Sequence, residues 1–200
     1  SDDITPAQHT TMQSDTNRTR PYTESAKGLI TRLASSHAGL DTHILEIGPG
    51  PAAILTHMCL SAAKQTNIRS MTPTLIERNS HSALLADHTL SHTNRTTVTG
   101  YSTDPHTSML AKLSLPTWGA DISISEIIGN IASSEAFPHI LYRAIQDGLI
   151  GHHTLVAPQH CATLWIPSDI TTFKTPVNTT FYWGDKLAYT SRRSTTTHLS

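Results

Sequence analysis

The sequence predicts an α/β fold: a Rossmann-like parallel sheet flanked by helices, with a short C-terminal β appendage. Three observations carry this expectation. Short apolar runs alternate with amphipathic stretches between residues 21 and 157, the pattern of strand–helix–strand units in a parallel sheet. A glycine-rich turn, GPGPA, follows the first of these strands at once. The chain has 200 residues, enough for one domain with a real core plus a small addition.

Pro21 to Ser35 reads as the first helix, with Tyr22, Ala26, Leu29, Ile30 and Leu33 along one face. His43 to Ile47 is a short apolar strand, and Ile54 to Lys64 is a helix. Thr74 to Ile76 forms the core of a second strand, ended by Glu77, and Ser80 to Leu90 is the next helix. Thr96 to Gly100 reads as a third strand, Thr107 to Leu113 as a short helix, and Asp121 to Ser125 as a fourth strand. Glu135 to Asp147 is a helix that stops at Gly148, as a C-cap glycine stops a helix. Leu149 to Ala157 and Cys161 to Ile166 read as strands. After Pro158 the segments TLWIP, FYWG and LAYT are strand-like, without a helical period. The expected division is residues 1–158 for the N-terminal helix and the ligand-binding domain, and 159–200 for a short β-rich segment, a partial barrel at most. The Thr/Ser tail from Ser191 is expected to fray.

Composition narrows the partners. A net charge of −1 gives no field to attract nucleic acid or a membrane surface. No apolar run reaches about 18 residues, so no spanning helix is expected. The first twenty residues are polar and lack the apolar core of a signal peptide. Two cysteines, Cys59 and Cys161, do not make a disulfide framework, which fits a reduced, cytoplasmic setting. The chain begins without methionine, as a trimmed or partial chain would.

Two stretches carry chemistry. In ILEIGPGPA, Gly48 and Gly50 let the backbone turn sharply and come close to a ligand. Glu77, at the end of the next strand, can accept both hydroxyls of a ribose. Ala52 stands where a dinucleotide site would have a third glycine. The pattern E-x-G-x-G, with Glu46, Gly48 and Gly50, suits S-adenosylmethionine, which has no pyrophosphate to cradle. The second stretch, SEIIGNIASSE, holds Glu126 where a strand stops and Glu135 near a helix start. Both could be helix-capping acids, and Glu135, beside Ser133 and Ser134, fits that role. Glu126 does not, because an acid at an apolar strand end needs a partner.

These stretches, together with MQSDTNRTRPY, which spaces Met12, Asp15, Arg18 and Tyr22 at three, three and four residues, resemble the protein arginine N-methyltransferase family in order and spacing. The resemblance covers about residues 10 to 160, and the paired-glutamate loop is its most specific motif. SAAKQ and ADISISEIIG look most like the branch that makes symmetric dimethylarginine. The resemblance implies a class I methyltransferase fold with S-adenosyl-L-methionine as cofactor. It implies that Arg18 holds the cofactor's carboxylate, that Glu77 holds its ribose, and that Asp104, with Ser102 nearby, contacts adenine. The helix bearing Met12 to Tyr22 would fold over the cofactor, and Glu126 and Glu135 would clamp the substrate guanidinium. The implied partner is an arginine-containing protein or peptide, and a homodimer is open.

The clamp makes physical sense. Arginine stays charged at any ordinary pH, and its planar fork suits two carboxylates that accept N–H bonds from different sides. Pairing offsets the cost of burying that charge. The clamp aims one terminal nitrogen at the methyl group and draws positive charge toward the held side, leaving the reacting nitrogen more nucleophilic.

The chain also departs from the family. Family members follow this core with a large β barrel and a Thr-His-Trp loop. Gln159 to Ser200 is too short for about eight strands, and Thr197-His198-Leu199 is no substitute for the loop, so a truncated relative is expected. Met12 stands where asymmetric-dimethylating members carry methionine, and Phe137 stands near a second methionine of that class, so the substrate-pocket residues leave the product type open. Intact clamp glutamates favour an enzyme over a non-catalytic binding module, and the short tail favours the reverse. Methylation of another cationic nitrogen, in a small molecule or a peptide, is the alternative reaction.

Other constellations read as structure. Thirteen histidines include His88 and His92 four apart and His152 beside His153, but no Cys or carboxylate completes a metal set. Cys59, between Met58 and Leu60, reads as a packed thiol. Trp165, Tyr182 and Trp183 read as the aromatic core of a small sheet.

Overall fold

The computed structural model of the chain describes residues 16–128 and 135–159. They form helix α1 (Thr16–Ser36), strand β1 (Asp41–Ile47), α2 (Ile54–Ala63), β2 (Ser70–Glu77), α3 (Ser80–Thr89), β3 (Thr96–Thr99), α4 (Pro105–Leu113), β4 (Ala120–Ser125), α5 (Phe137–Gln146) and β5 (Ile150–Ala157). Five strands make one sheet in the order β3-β2-β1-β4-β5, and every neighbouring pair is parallel. This is the expected Rossmann-like, doubly wound sheet. The order reverses beside β1, the topological switch point at which open α/β sheets bind their ligands. Among the described residues no helix is long and apolar enough to cross a membrane.

The apolar run HILEI is explained by burial on both faces. Ile44, Ile122 and Ile124 pack with Ala26, Ile30 and Leu33 of α1 and with Leu55, Cys59 and Ala63 of α2. Leu45, Ile47, Ile76 and Val98 face the other way, toward Ala111 of α4 and Ala144 of α5. Leu75 stands opposite Glu46 in register and packs with Ala53 and with Ala86 and Leu90 around α3. Helices α1, α2 and α3 thus cover one face, and α4 and α5 cover the other.

Several element limits differ from expectation. Helix α1 begins at Thr16, so Pro21 lies inside it rather than at its start. A proline near a helix start removes few intrahelical bonds, and Thr23 Oγ1 donates back to Thr19 O at 3.0 Å. β2 begins four residues before Thr74, because the polar stretch from Ser70 pairs with β1 all the way from Asp41. Helix α5 starts at Phe137, two residues past Glu135, because Ala136 is left-handed at φ 60° and cannot continue a helix backward. The strand expected at Cys161–Ile166, and the β-rich segment beyond Gln159, lie outside the described residues.

The amino edge of the sheet is tied to α1. Asp121, at the start of β4, accepts from His43 N at 2.7 Å and lies 3.6 Å from His37 Nε2, just past the end of α1. At the carboxyl edge lie the loops after β1, β2, β3 and β4, which carry Gly48, Gly50, Ser102, Asp104 and Glu126, with Glu77 at the end of β2.

Candidate functional site

The site starts from the turn after β1. Gly48 has φ 73° and donates its N–H to Ile76 O at 2.9 Å, so the chain leaves β1 while still attached to β2. A Cβ on Gly48 would lie 2.5 Å from Ile127 Cγ2, so only glycine fits both the left-handed backbone and the close approach. Ile127 directly follows Glu126. The glycine turn and the glutamate-bearing segment after β4 are therefore in contact at one edge.

Glu77 closes the turn from the other side. Its Oε2 accepts from Gly50 N at 3.0 Å and its Oε1 accepts from Asn79 N at 2.9 Å. The side chain is nearly buried, and the two bonds hold both oxygens in a fixed plane. A carboxylate can accept about four hydrogen bonds, so a vicinal diol can share Glu77 with the loop. Asn79 then caps α3, its side chain accepting from Ser82 N at 2.9 Å.

Glu46, expected beside the cofactor, makes its bonds in the structure to the start of α2. It lies on β1, with its side chain under α2 rather than in the loop, and is 1% exposed. Oε2 accepts from Thr56 N at 3.0 Å and from Thr56 Oγ1 at 2.5 Å, which fixes the start of α2 to the sheet. Burial pushes its carboxyl up to about 7, against the pull of the Thr56 bonds, and the Glu77 charge adds to the rise. Cys59 lies in the same layer. Its thiol is pushed up to about 12, first by burial and then by the Glu46 charge, so it is a packed, neutral thiol.

The loop after β3 is built like a bracket. Gly100 N donates to Glu77 O at 2.9 Å, and Asp104 N donates to Tyr101 O at 2.9 Å. Asp104 caps α4, its Oδ1 accepting from His106 N at 3.2 Å and its Oδ2 from Thr107 Oγ1 at 3.0 Å. Those bonds, the backbone one first, hold its carboxyl below the usual range. Ser102 is buried beneath the loop, its carbonyl accepting from Ser108 Oγ at 3.1 Å. The two expected adenine contacts are thus an N-cap and a buried serine, at the end of the strand next to Glu77.

The remaining candidates are placed in part. Arg18 lies in the first turn of α1. Tyr22, also on α1, packs half-buried against the core beneath the helix. Glu126 follows β4 directly at the carboxyl edge and is half-buried. Glu135 is exposed two residues before α5, and the helix is capped by Ala136, without a side-chain cap bond. Residues 129–134 between the two glutamates, and Met12, lie outside the described residues. Phe137 is buried at the start of α5.

Sequence reasoning missed Ile127, Thr56 and Asn79. Asn79 was accessible through its capping position before Ser80; Ile127 and Thr56 carry no local signal. The histidine pairing also differs: α3 ends at Thr89, so His88 and His92 do not share a helix face, and His92 instead lies over His57, ring centroids 6.4 Å apart. Burial lowers the pKa of His57, with His92 and Lys64 adding to the effect. Among the described residues no three metal-ligating side chains converge.

No family model matches the sequence, and no curated protein does. Among solved structures it is similar to an O-methyltransferase from Bacillus cereus in complex with SAH, at 16% identity and TM-score 0.41, over 62% of this chain and 50% of that one. It is likewise similar to a sugar N-methyltransferase from Streptoalloteichus, at 15% identity and TM-score 0.43, over 76% of this chain and 50% of that one. The chain spans half the length of each, and neither protein's substrate is carried over to it.

Proposed function

We propose that the chain is an S-adenosylmethionine-dependent methyltransferase that acts on a guanidinium nitrogen of arginine in a protein or peptide. The observation that carries this reading is the contact of Gly48 with Ile127, together with the bond from Gly50 N to Glu77. It brings the glycine turn and Glu77 next to the segment that begins with Glu126. The residues present fit the cofactor: a glycine turn whose Gly50 N bonds Glu77, and an acid with acceptor capacity left.

When bound, S-adenosylmethionine supplies a methyl group on a positively charged sulfur. The residues of this chain hold and aim the reactants. Glu77 accepts the ribose hydroxyls while keeping Gly50 in place. Arg18, on the first turn of α1, pairs with the cofactor's carboxylate. Glu126 and Glu135 accept N–H bonds from the substrate guanidinium and localise its charge away from the reacting nitrogen. Glu46 fixes the start of the helix that follows the turn through its bonds to Thr56.

The test has two steps. Calorimetry with S-adenosylhomocysteine should show binding to the full chain, and Glu77→Ala should weaken it at least tenfold, the loss of charged hydrogen bonds worth about 1.5–3 kcal/mol each. Incubation with labelled cofactor and an arginine-rich peptide, read by mass spectrometry, should then show methyl transfer. Glu126→Gln should abolish most of the transfer and leave cofactor affinity within about twofold. A Glu126→Gln variant that methylates normally would remove the arginine assignment. Full cofactor affinity without transfer to any peptide would remove the peptide substrate and leave a small-molecule methyltransferase or a binding module.

A further inference from the structure

We infer that the chain pairs with a second copy of itself through the outer face of α4 and α5. The inference is independent of the cofactor reading and concerns the side of the sheet away from α1.

The sequence puts an unusual surface on these two helices. On α4, Leu113 follows Met109 by four residues and Leu110 by three; on α5, Ile145 follows Tyr142 by three. All five are exposed, from 38% for Leu110 to 77% for Leu113, while Ala111 and Ala144 take the inward positions of the same helices. Each helix therefore carries two apolar stripes, one in the core and one in solvent. Trp118, 58% exposed, follows α4 in the loop before β4. The two helices are tied together at their ends, because Lys112 Nζ donates to Gly148 O just past α5.

No exposed position of α4 or α5 holds Asp, Glu, Lys or Arg; besides the apolar residues they hold Pro105, His106, Pro138, His139 and Gln146. The charged side chains of both helices are turned to partners within the fold. Lys112 also donates to Thr117 O at 3.1 Å, and Arg143 Nε donates to Asp147 Oδ2 at 2.8 Å. By contrast α1, on the opposite face, exposes Arg20, Glu24, Lys27 and Arg32.

The missing charges decide the occupant. A charged partner would lose its water on this face and find no counter-charge to offset the loss. The partner must be apolar and uncharged over a similar area, and the chain itself carries such a face. Two copies related by a two-fold axis join like face to like face with no charges opposed. The area is sufficient. The six apolar side chains present roughly 600 Å², at about 150–200 Å² for a fully exposed large side chain. Half of a standard interface is about 800 Å², a little over half of it apolar.

The test is sedimentation velocity of the full chain from about 1 to 100 µM, at a pH near 8 where free histidine is uncharged. Wild type should shift from monomer toward dimer over that range, as an interface at the small end of the standard class does. Leu113→Lys and Tyr142→Lys place like charges on the two joined faces and should each weaken pairing by at least about tenfold. Leu84→Lys, at a position 71% exposed on α3, should leave pairing within about twofold. Melting curves at about 1 µM, where wild type is mostly monomeric, should coincide for all four proteins. A chain that stays monomeric throughout would overturn the inference. So would a dimer that Leu113→Lys and Tyr142→Lys leave intact, or one that Leu84→Lys weakens as much. Variants at 113 and 142 that melt well below wild type at the lowest concentration would show that another part of this chain covers the face, which also overturns the pairing.

Discussion

Glu46 and Glu77 are both acids on parallel strands, yet their surroundings give them opposite work. Glu77 ends its strand, so its oxygens reach the turn. Glu46 lies one residue before the last of β1, so its side chain stays in the layer under α2. The motif E-x-G-x-G marked both the turn and the acid, and strand alternation points residue 46 into the helix layer. The buried carboxyl has a stability consequence. The folded chain keeps the Glu46 proton up to about 7, whereas the unfolded chain releases it near 4.5. The fold therefore binds more protons between those values, and its stability is fully present below 4.5 and declines as pH rises to about 7. The limit of the effect is roughly 3 kcal/mol. Glu46→Gln should flatten the pH dependence, raising stability near pH 8 by roughly 1–3 kcal/mol and changing it little near pH 5. Denaturant unfolding at the two pH values checks this; a slope that survives in the variant assigns the titration to another group.

At the scale of elements, the turn after β1 and the segment after β4 behave as one unit through Gly48 and Ile127. Gly48→Ala places a methyl-sized atom 2.5 Å from Ile127 Cγ2 on a backbone with φ 73°. The left-handed conformation costs about 1–2 kcal/mol for an L-residue, and overpacking adds roughly 1–3 kcal/mol. Removing the Ile127 side chain in the same protein should recover the packing part and leave the backbone part. A double-mutant cycle in denaturant should give a coupling of at least ~1 kcal/mol in the relieving direction, and strict additivity would show that the two loops are independent. The alternation of elements was legible in the sequence because apolar strands such as HILEI lie between amphipathic helices. The limits of α1 and α5 were not, since they depend on Pro21 being tolerated inside a helix and on Ala136 adopting a left-handed conformation, neither of which leaves a compositional trace. The contact of Ile127 with Gly48 joins residues far apart in sequence, and no local pattern encodes it.

Over the whole molecule, β1 sits at the centre of the sheet with a parallel partner on each side, while among the described residues β3 and β5 are the outer strands. Hydrogen exchange followed by mass spectrometry should find the slowest amides in peptides covering Ile44–Ile47 and Ile122–Ile124, and clearly faster exchange across Thr96–Thr99. Uniform protection across the sheet would contradict the order of the strands. The helix over this centre is longer than what it covers. Helix α1 has 21 residues, about 30 Å, whereas β1 has 7, about 23 Å. Because Asp121 fastens the far end of that helix, through His37, to the edge where the strands begin, the surplus cannot be shared between the two ends. It all falls at the other end as an eave of roughly five residues. Arg18 is in that overhang and Tyr22 is where it meets the wall. Removing about five residues from the middle of the helix would therefore draw the eave back flush with the sheet and carry Arg18 in with it.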